Sequence, residues 1–272
     1  MKKIIHLTDL HIGIDECDQV MKNIVANIKE KTTPASDYII VITGDLVDKV
    51  DDSLSTYMQA KEYIDELKQS GFNNILIVPG NHDYGTGNHQ EKEYVGLFNK
   101  TFLGNEFIKY PILDRIDEIA FIGLNSMEGE MTRVISQSDE VISVEEKDSR
   151  FAAGSLGKKQ LNELEKMLTS NPKVTTAQKV VVYLHHRPFY YLIPPTGHHL
   201  QDRTQLKKIL KGKIDLLLFG HTHREKTFHG RRKIPRIYDG GASTGKDGKR
   251  PPHMVIDLST DPKNDIDGNF YE

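Results

Sequence analysis

Residues 215–223 read DLLLFGHTH: an apolar run of strand length, a glycine, then two histidines one residue apart. The same design recurs along the chain. KIIHLTD (3–9), DYIIVITGD (37–45), NNILIVPGNHD (73–83), IAFIGLNS (119–126) and KVVVYLHH (179–186) are β-branched runs that close on polar residues. Segments with helical spacing lie between them. Asp15 to about Lys31 sets Val20, Ile24 and Ile28 on one face, and residues 54–71 form a helix ended by Gly71. Further helices are predicted over 89–102, over 155–170 with Ser155 as N-cap, and over 202–212. Strand and helix in alternation predict an α/β protein with a largely parallel, doubly wound sheet. KTFHG, PRIYDGG and HMVIDLS near the end read as short antiparallel strands. The alternation fails over 126–150, where seven acids stand against three bases, and this stretch is read as an acidic insertion or cap in a single domain spanning 1–272.

Composition narrows the function classes. The 272 residues are ample for a sizeable core, and 28% charged against 37% hydrophobic residues is ordinary for a globular protein. A formal net charge of -3 gives no global attraction to nucleic acid or to an anionic membrane. Cys17 is the one cysteine, so no internal disulfide forms and a metal site must draw on His, Asp or Asn. The N-terminal apolar run is broken by His6 and Asp9, as in a first strand and not a signal peptide, and no apolar stretch spans a bilayer. These readings together predict a cytoplasmic protein. Nothing in the sequence points to a particular oligomeric state.

The polar clusters all fall at carboxyl ends of predicted strands. Asp9 and His11 follow the first strand, Asp45 the second, and Asn81 with His82 the third; His185 ends a later strand, and His221 with His223 ends the last. In an open α/β sheet that edge is where ligands bind, so residues distant in sequence meet on one rim. Carboxylates, an amide oxygen and imidazoles without thiolate are a ligand set for divalent or trivalent transition ions. The pairs Asp9-x-His11 and His221-x-His223 are expected on one side of an extended segment.

The ordered set D-x-H, G-D-x-x-D, G-N-H-D, H and G-H-x-H, running from about Ile4 to Ser243, resembles the calcineurin-like metallophosphoesterase superfamily. In size and motifs it is similar to small bacterial cyclic-nucleotide and glycerophosphodiester phosphodiesterases. The resemblance implies four layers, two mixed sheets packed face to face with helices outside. It implies two metals about 3.5 to 4 Å apart, one held by Asp9, His11 and His223, the other by Asn81, His185 and His221, with Asp45 between them. Residues 184–188, LHHRP, offer His185 and His186. His185 is preferred because it directly follows the strand. A hydroxide between the metals would attack phosphorus in line, and His82 would protonate the leaving oxygen with Asp83 orienting it. Asp48 is expected to accept a hydrogen bond from a ligand. The metals are read as Mn, Fe, Zn or Co.

The substrate expected from this resemblance is a small phosphate ester, a phosphodiester such as a cyclic nucleotide ahead of a phosphomonoester. A binding or scaffolding protein on the same fold is the alternative from another class. Residues 224–250 carry nine bases against three acids, which suits a solvated hairpin rim, a further phosphate or a polyanion. Nucleic acid is not favoured as the substrate, because the chain lacks the helical arms and DNA-capping domain of a nuclease of this superfamily. Phe189, Tyr190 and Tyr191 follow a ligand motif and could stack on a base or pack their loop. His89, His198 and His199 have no spacing that distinguishes them from ordinary surface residues.

Overall fold

The computed structural model describes residues 1–87, 91–128, 153–189, 200–245 and 254–261. The expected acidic insertion therefore lies outside the described residues from position 129 onward, as do His89, Tyr190, Tyr191, His198 and His199.

Two sheets replace the one doubly wound sheet that periodicity suggested, as the resemblance implied. The first has the order β10-β1-β2-β3, built from β1 (Lys3–Leu7), β2 (Tyr38–Thr43), β3 (Ile75–Val78) and β10 (Met254–Ile256). Its first three strands are parallel, with Ile5 opposite Ile40 and Ile42 opposite Ile77, and β10 closes the edge antiparallel to β1. The second has the order β4-β5-β6-β7-β9-β8. Its strands are β4 (Ile112–Ile116), β5 (Ile119–Gly123), β6 (Lys179–Tyr183), β7 (Leu216–Phe219), β8 (Lys226–His229) and β9 (Arg236–Asp239). Here β5, β6, β7 and β9 run parallel and only the edge strands β4 and β8 are antiparallel. The late strands pair antiparallel as expected where β8 folds back on β9 through Gly230 at φ 63° and where β10 meets β1, but the other edge of β9 lies parallel beside β7.

Alternation along the strands sorts the core into three layers. Ile4, Ile39, Val41 and Val78 face Phe121, Val181, Leu216 and Leu218 between the sheets. The opposite face of the first sheet, through Ile5, Leu7, Ile40 and Ile42, packs on α1 (Asp15–Lys31), α2 (Ser55–Gln69) and α3 (Lys92–Leu103). The opposite face of the second, through Ile122, Val182, Leu217 and Phe219, packs on α4 (Gly157–Ser170), the short α5 (Pro172–Thr175) and α6 (Arg203–Leu210). Each such side chain contributes about 1.5–3 kcal/mol when fully buried, so three apolar layers outweigh any single polar contact.

The expected helices begin and end within three residues of the predicted positions, but one cap differs. The α4 helix begins at Gly157 and Ser155 does not cap it. The Asp202 carboxylate, brought from 45 residues away in the chain, accepts from the Leu156 and Gly157 amides at 2.9 and 2.8 Å and from Ser155 Oγ. A negative side chain there satisfies free amides and meets the positive end of the helix dipole. Gly71, at φ 96° just past α2, ends that helix as predicted.

Candidate metal centre

The carboxyl ends of β1, β2 and β3 in one sheet and of β6 and β7 in the other converge on a shared rim. Asp9, His11, Asp45 and Asn81 come from the first sheet, and His185, His221 and His223 from the second. All seven sequence-predicted positions meet there. His185 Nε2 lies 3.1 Å from Asn81 Oδ1, 3.1 Å from His221 Nδ1 and 3.3 Å from Asp45 Oδ2. On the other side His223 Nε2 lies 3.1 Å from His11 Nε2 and 3.3 Å from Asp9 Oδ1. Asp45 belongs with Asp9 and His185 to one buried group whose ligand atoms lie within 4.8 Å of one another, which puts it between the two sets.

The chemistry of these atoms fits cations. One imidazole nitrogen carries at most one proton, so His185 Nε2 cannot bond to three neighbouring acceptors at once. Lone pairs facing each other in a buried space repel unless positive charge sits among them. Ligand bonds of about 2.0–2.2 Å put neighbouring donors roughly 3 Å apart, the spacing found here. The ring orientations agree. His185 Nδ1 is 2.8 Å from the Thr43 carbonyl, which accepts its proton and leaves Nε2 free to face the cluster. His11 Nδ1 is 3.3 Å from Asp48 Oδ1, the acceptor role expected for Asp48. Asn81 donates Nδ2 to the Gly87 carbonyl at 3.1 Å, which aims Oδ1 inward.

Burial and charge act in opposition on the titrating groups. Burial pushes the Asp45 carboxyl up, yet His185, His82 and His11 together hold it well below the usual carboxylate range. Burial lowers His185, and the Asp45 and Asp9 carboxylates more than reverse this, raising it to about 9. The pocket thus favours positive charge beside its carboxylates. A proton on His185 supplies that charge where a cation would supply more.

The backbone differs from expectation. Asp9, His11, Asp45, His221 and His223 have φ of 51°, 46°, 51°, 74° and 50°, so the ligand pairs are held by left-handed turns and not by extended segments. Such conformations cost of order 1 kcal/mol or more each in non-glycine residues and persist only where the surroundings impose them. Two glycines make the close approach possible: a Cβ on Gly80 would sit 2.2 Å from Asp45 Oδ1, and one on Gly220 2.0 Å from Thr8 Oγ1.

His82 stands beside this centre, its ring centroid 4.9 Å from that of His11. The Asp48 carbonyl accepts from His82 Nδ1, and Nε2 lies over Gly87, where a Cβ would come within 2.4 Å. Asp83, expected to orient His82, instead accepts from the backbone amides of Leu46, Val47 and Gly80. It ties the second-strand loop to the third, and burial with the nearby Asp45 charge raises its carboxyl to about 8. His186, the alternative to His185, is directed to Ser126 Oγ at 2.8 Å, although its ring stays 4.2 Å from that of His221.

Sequence reading passed over Asp239, which is fully buried at the end of β9. It accepts from Thr222 Oγ1 at 3.0 Å and lies 3.7 Å from the Arg187 guanidinium, so it anchors the residue between His221 and His223. The sequence shows Asp239 closing the strand-like run PRIYD, but not the pairing of β9 with β7 that brings it to the rim. Phe189 is buried against Phe219 and does not line the rim.

A family model for calcineurin-like phosphoesterases matches residues 2–225. Two proteins of Helicobacter pylori, each described as an uncharacterized metallophosphoesterase, are 31% and 30% identical over 106 residues, 39% of this chain. The match spans 26% of the length of these curated relatives. Among solved structures, a dimetal phosphatase from Danio rerio superposes with a TM-score of 0.59 at 12% identity, over 89% of this chain and 87% of that one. GAP50, described as the anchor in the inner membrane complex of Plasmodium, gives 0.56 at 16% identity over 94% and 78%. At such identities the likeness is one of fold. No helix among the described residues is long and apolar enough to cross a membrane.

Proposed function

The chain belongs to the calcineurin-like phosphoesterase family, and from that premise we propose that it is a dinuclear metal-dependent hydrolase of a small phosphodiester, such as a cyclic nucleotide. The observation that carries this reading is the convergence of Asp9, His11, Asp45, Asn81, His185, His221 and His223 with inward lone pairs, beside a histidine outside the set. Asp9, His11 and His223 would hold one ion, Asn81, His185 and His221 the other, and Asp45 both. Mn, Fe, Zn and Co all accept this donor set. When bound, two such ions acidify water and neutralise charge on phosphoryl oxygens.

The remaining work falls to the chain. Thr43, Asp48 and Gly87 fix the rings of His185 and His11 and the amide of Asn81, so the donors need no rearrangement when charge develops at phosphorus. With its Nδ1 proton given to the Asp48 carbonyl, His82 presents Nε2 as the atom that exchanges a proton with the leaving oxygen. Asp83 holds the loops that place Asp45 and His82. The preference for a diester is supported by the motif resemblance; a phosphomonoester is the alternative substrate, and a binding protein is the non-enzymatic one.

The test is hydrolysis of bis-p-nitrophenyl phosphate beside p-nitrophenyl phosphate by metal-stripped protein with Mn²⁺, Fe²⁺, Zn²⁺ or Co²⁺ restored in turn. Faster diester cleavage, reduced about 100-fold or more in His82→Ala, is the expected outcome for a general acid of this kind. A monoester preference would change the substrate, and no turnover with any of the four metals would remove the enzyme reading.

A further inference from the structure

Away from the metal rim, along the edge strand β8, cations and phenyl rings alternate. Lys207 Nζ lies 5.8 Å from the centroid of Phe189, and the Arg231 guanidinium lies 5.7 Å from the same ring. Arg231 also lies 5.0 Å from the Phe228 ring, over which Lys226 Nζ sits at 5.6 Å. Three cations from α6, from the turn after β8 and from the start of β8 thus share two rings. Arg232 extends the group, held at φ 58° in the turn Arg231–Lys233.

Charge of one sign is crowded here. Lys207, Arg231 and Arg232 form no ion pair with a carboxylate among the described residues. The Lys207 ammonium is held below its ordinary value, first by burial and then by Arg232, Arg203 and Arg231. Asp202, at the start of α6, is turned to the α4 amides. Arg236, in the same basic stretch, is buried and donates to the Asp257 and Thr260 carbonyls, so it belongs to the core and not to this surface.

Like charges gathered at one place destabilise the free protein, and ring faces hold a guanidinium or ammonium in place while leaving its N–H edge outward. Fixed N–H donors of this kind suit the tetrahedral oxygens of phosphate, with little ordering left to do on binding. The Phe189 ring is itself anchored in the core, 6.2 Å from the Phe219 ring of β7.

We propose that Lys207, Arg231, Arg232 and Lys226, ordered by Phe189 and Phe228, form a binding site for a ligand carrying several phosphates, separate from the metal centre. The inference stands without the hydrolytic reading, because it requires only anion binding. An oligonucleotide backbone and an inorganic oligophosphate share the chemistry, and the experiment separates them.

The full chain, with its metals, is titrated with fluorescein-labelled, phosphorothioate-linked dT12 by anisotropy, and with tripolyphosphate as competitor. Four cations on a single strand predict a slope of log K against log salt of about -3, which Arg231→Ala/Arg232→Ala should reduce by about 1.4 while weakening binding at least tenfold. Lys207→Ala should weaken it several-fold and Lys207→Arg should restore it, a rescue that a merely structural lysine would not require. Metal content of the double variant should match wild type, so a failed metal centre and a failed anion site are told apart. Displacement of dT12 by tripolyphosphate assigns isolated phosphates; retention of dT12 assigns the backbone. Wild-type affinity in the double variant, absence of binding of both probes at 50 mM salt, or equal competition by polyglutamate would overturn the proposal.

Discussion

Five proposed metal-facing residues sit in left-handed backbone, and this is the part of the site that residue types could not disclose. Asp, His and Asn at strand ends are visible as letters, since they interrupt apolar runs. The turns that aim them depend on Gly80 and Gly220 meeting side chains from other strands. His6 shows a second effect of burial at this scale. It is enclosed between β2 and β10, 2.9 Å from Thr43 Oγ1, and burial lowers it from its ordinary value of 6.5 to about 3 despite the nearby Asp9 charge. The unfolded chain therefore binds a proton at His6 that the folded chain refuses between these values. Stability from this group is present above pH 6.5 and is lost as pH falls toward 3. Denaturant unfolding of wild type should lose roughly 2 kcal/mol more than His6→Gln between pH 7 and pH 5. Parallel pH profiles for the two proteins would contradict the assignment.

Among the elements, the long helices and buried parallel strands were legible because their periodicities are strong, and the edge strand β4 was not. The β4 strand, ILDRI, carries Asp114 and Arg115 in an edge position where every residue is half-buried, so no apolar run marks it. The parallel placement of β9 follows from a hairpin reversal that pairs it with β7, a long-range choice with no local signature. The same holds for the cap on α4, whose anchor Asp202 lies in another segment. Asp202→Ala should cost about 1–2 kcal/mol in denaturant unfolding, the usual loss for a helix cap, with the proposed metal-dependent hydrolysis retained. An unchanged midpoint would show that the α4 amides find other partners.

At the scale of the whole molecule, two sheets packed face to face bring the carboxyl ends of their strands to one rim. Sequence periodicity could not distinguish this from one continuous sheet, since parallel strands buried on both faces look alike in either arrangement. Only the ordered motif set pointed to two. With donors drawn from both sheets, ions at the proposed site would link the halves of the core. Binding to the folded state alone stabilises by about 2.7 kcal/mol at metal concentrations 100 times Kd. Thermal unfolding in Mn²⁺ should occur several degrees above that in chelator; coincident transitions would mean that the rim holds no ion in the folded chain.

In the proposed two-ion centre Asp45 is the residue shared by both ions. The most direct measurement is the number of Mn²⁺ or Zn²⁺ ions bound per chain after dialysis to equilibrium, for wild type and for Asp45→Asn, a variant that keeps side-chain size and tolerates the left-handed turn at this position. Two ions in wild type, with at least one lost in the variant, is the predicted result. A single ion or none in wild type, or two retained in Asp45→Asn at unchanged affinity, would contradict the account.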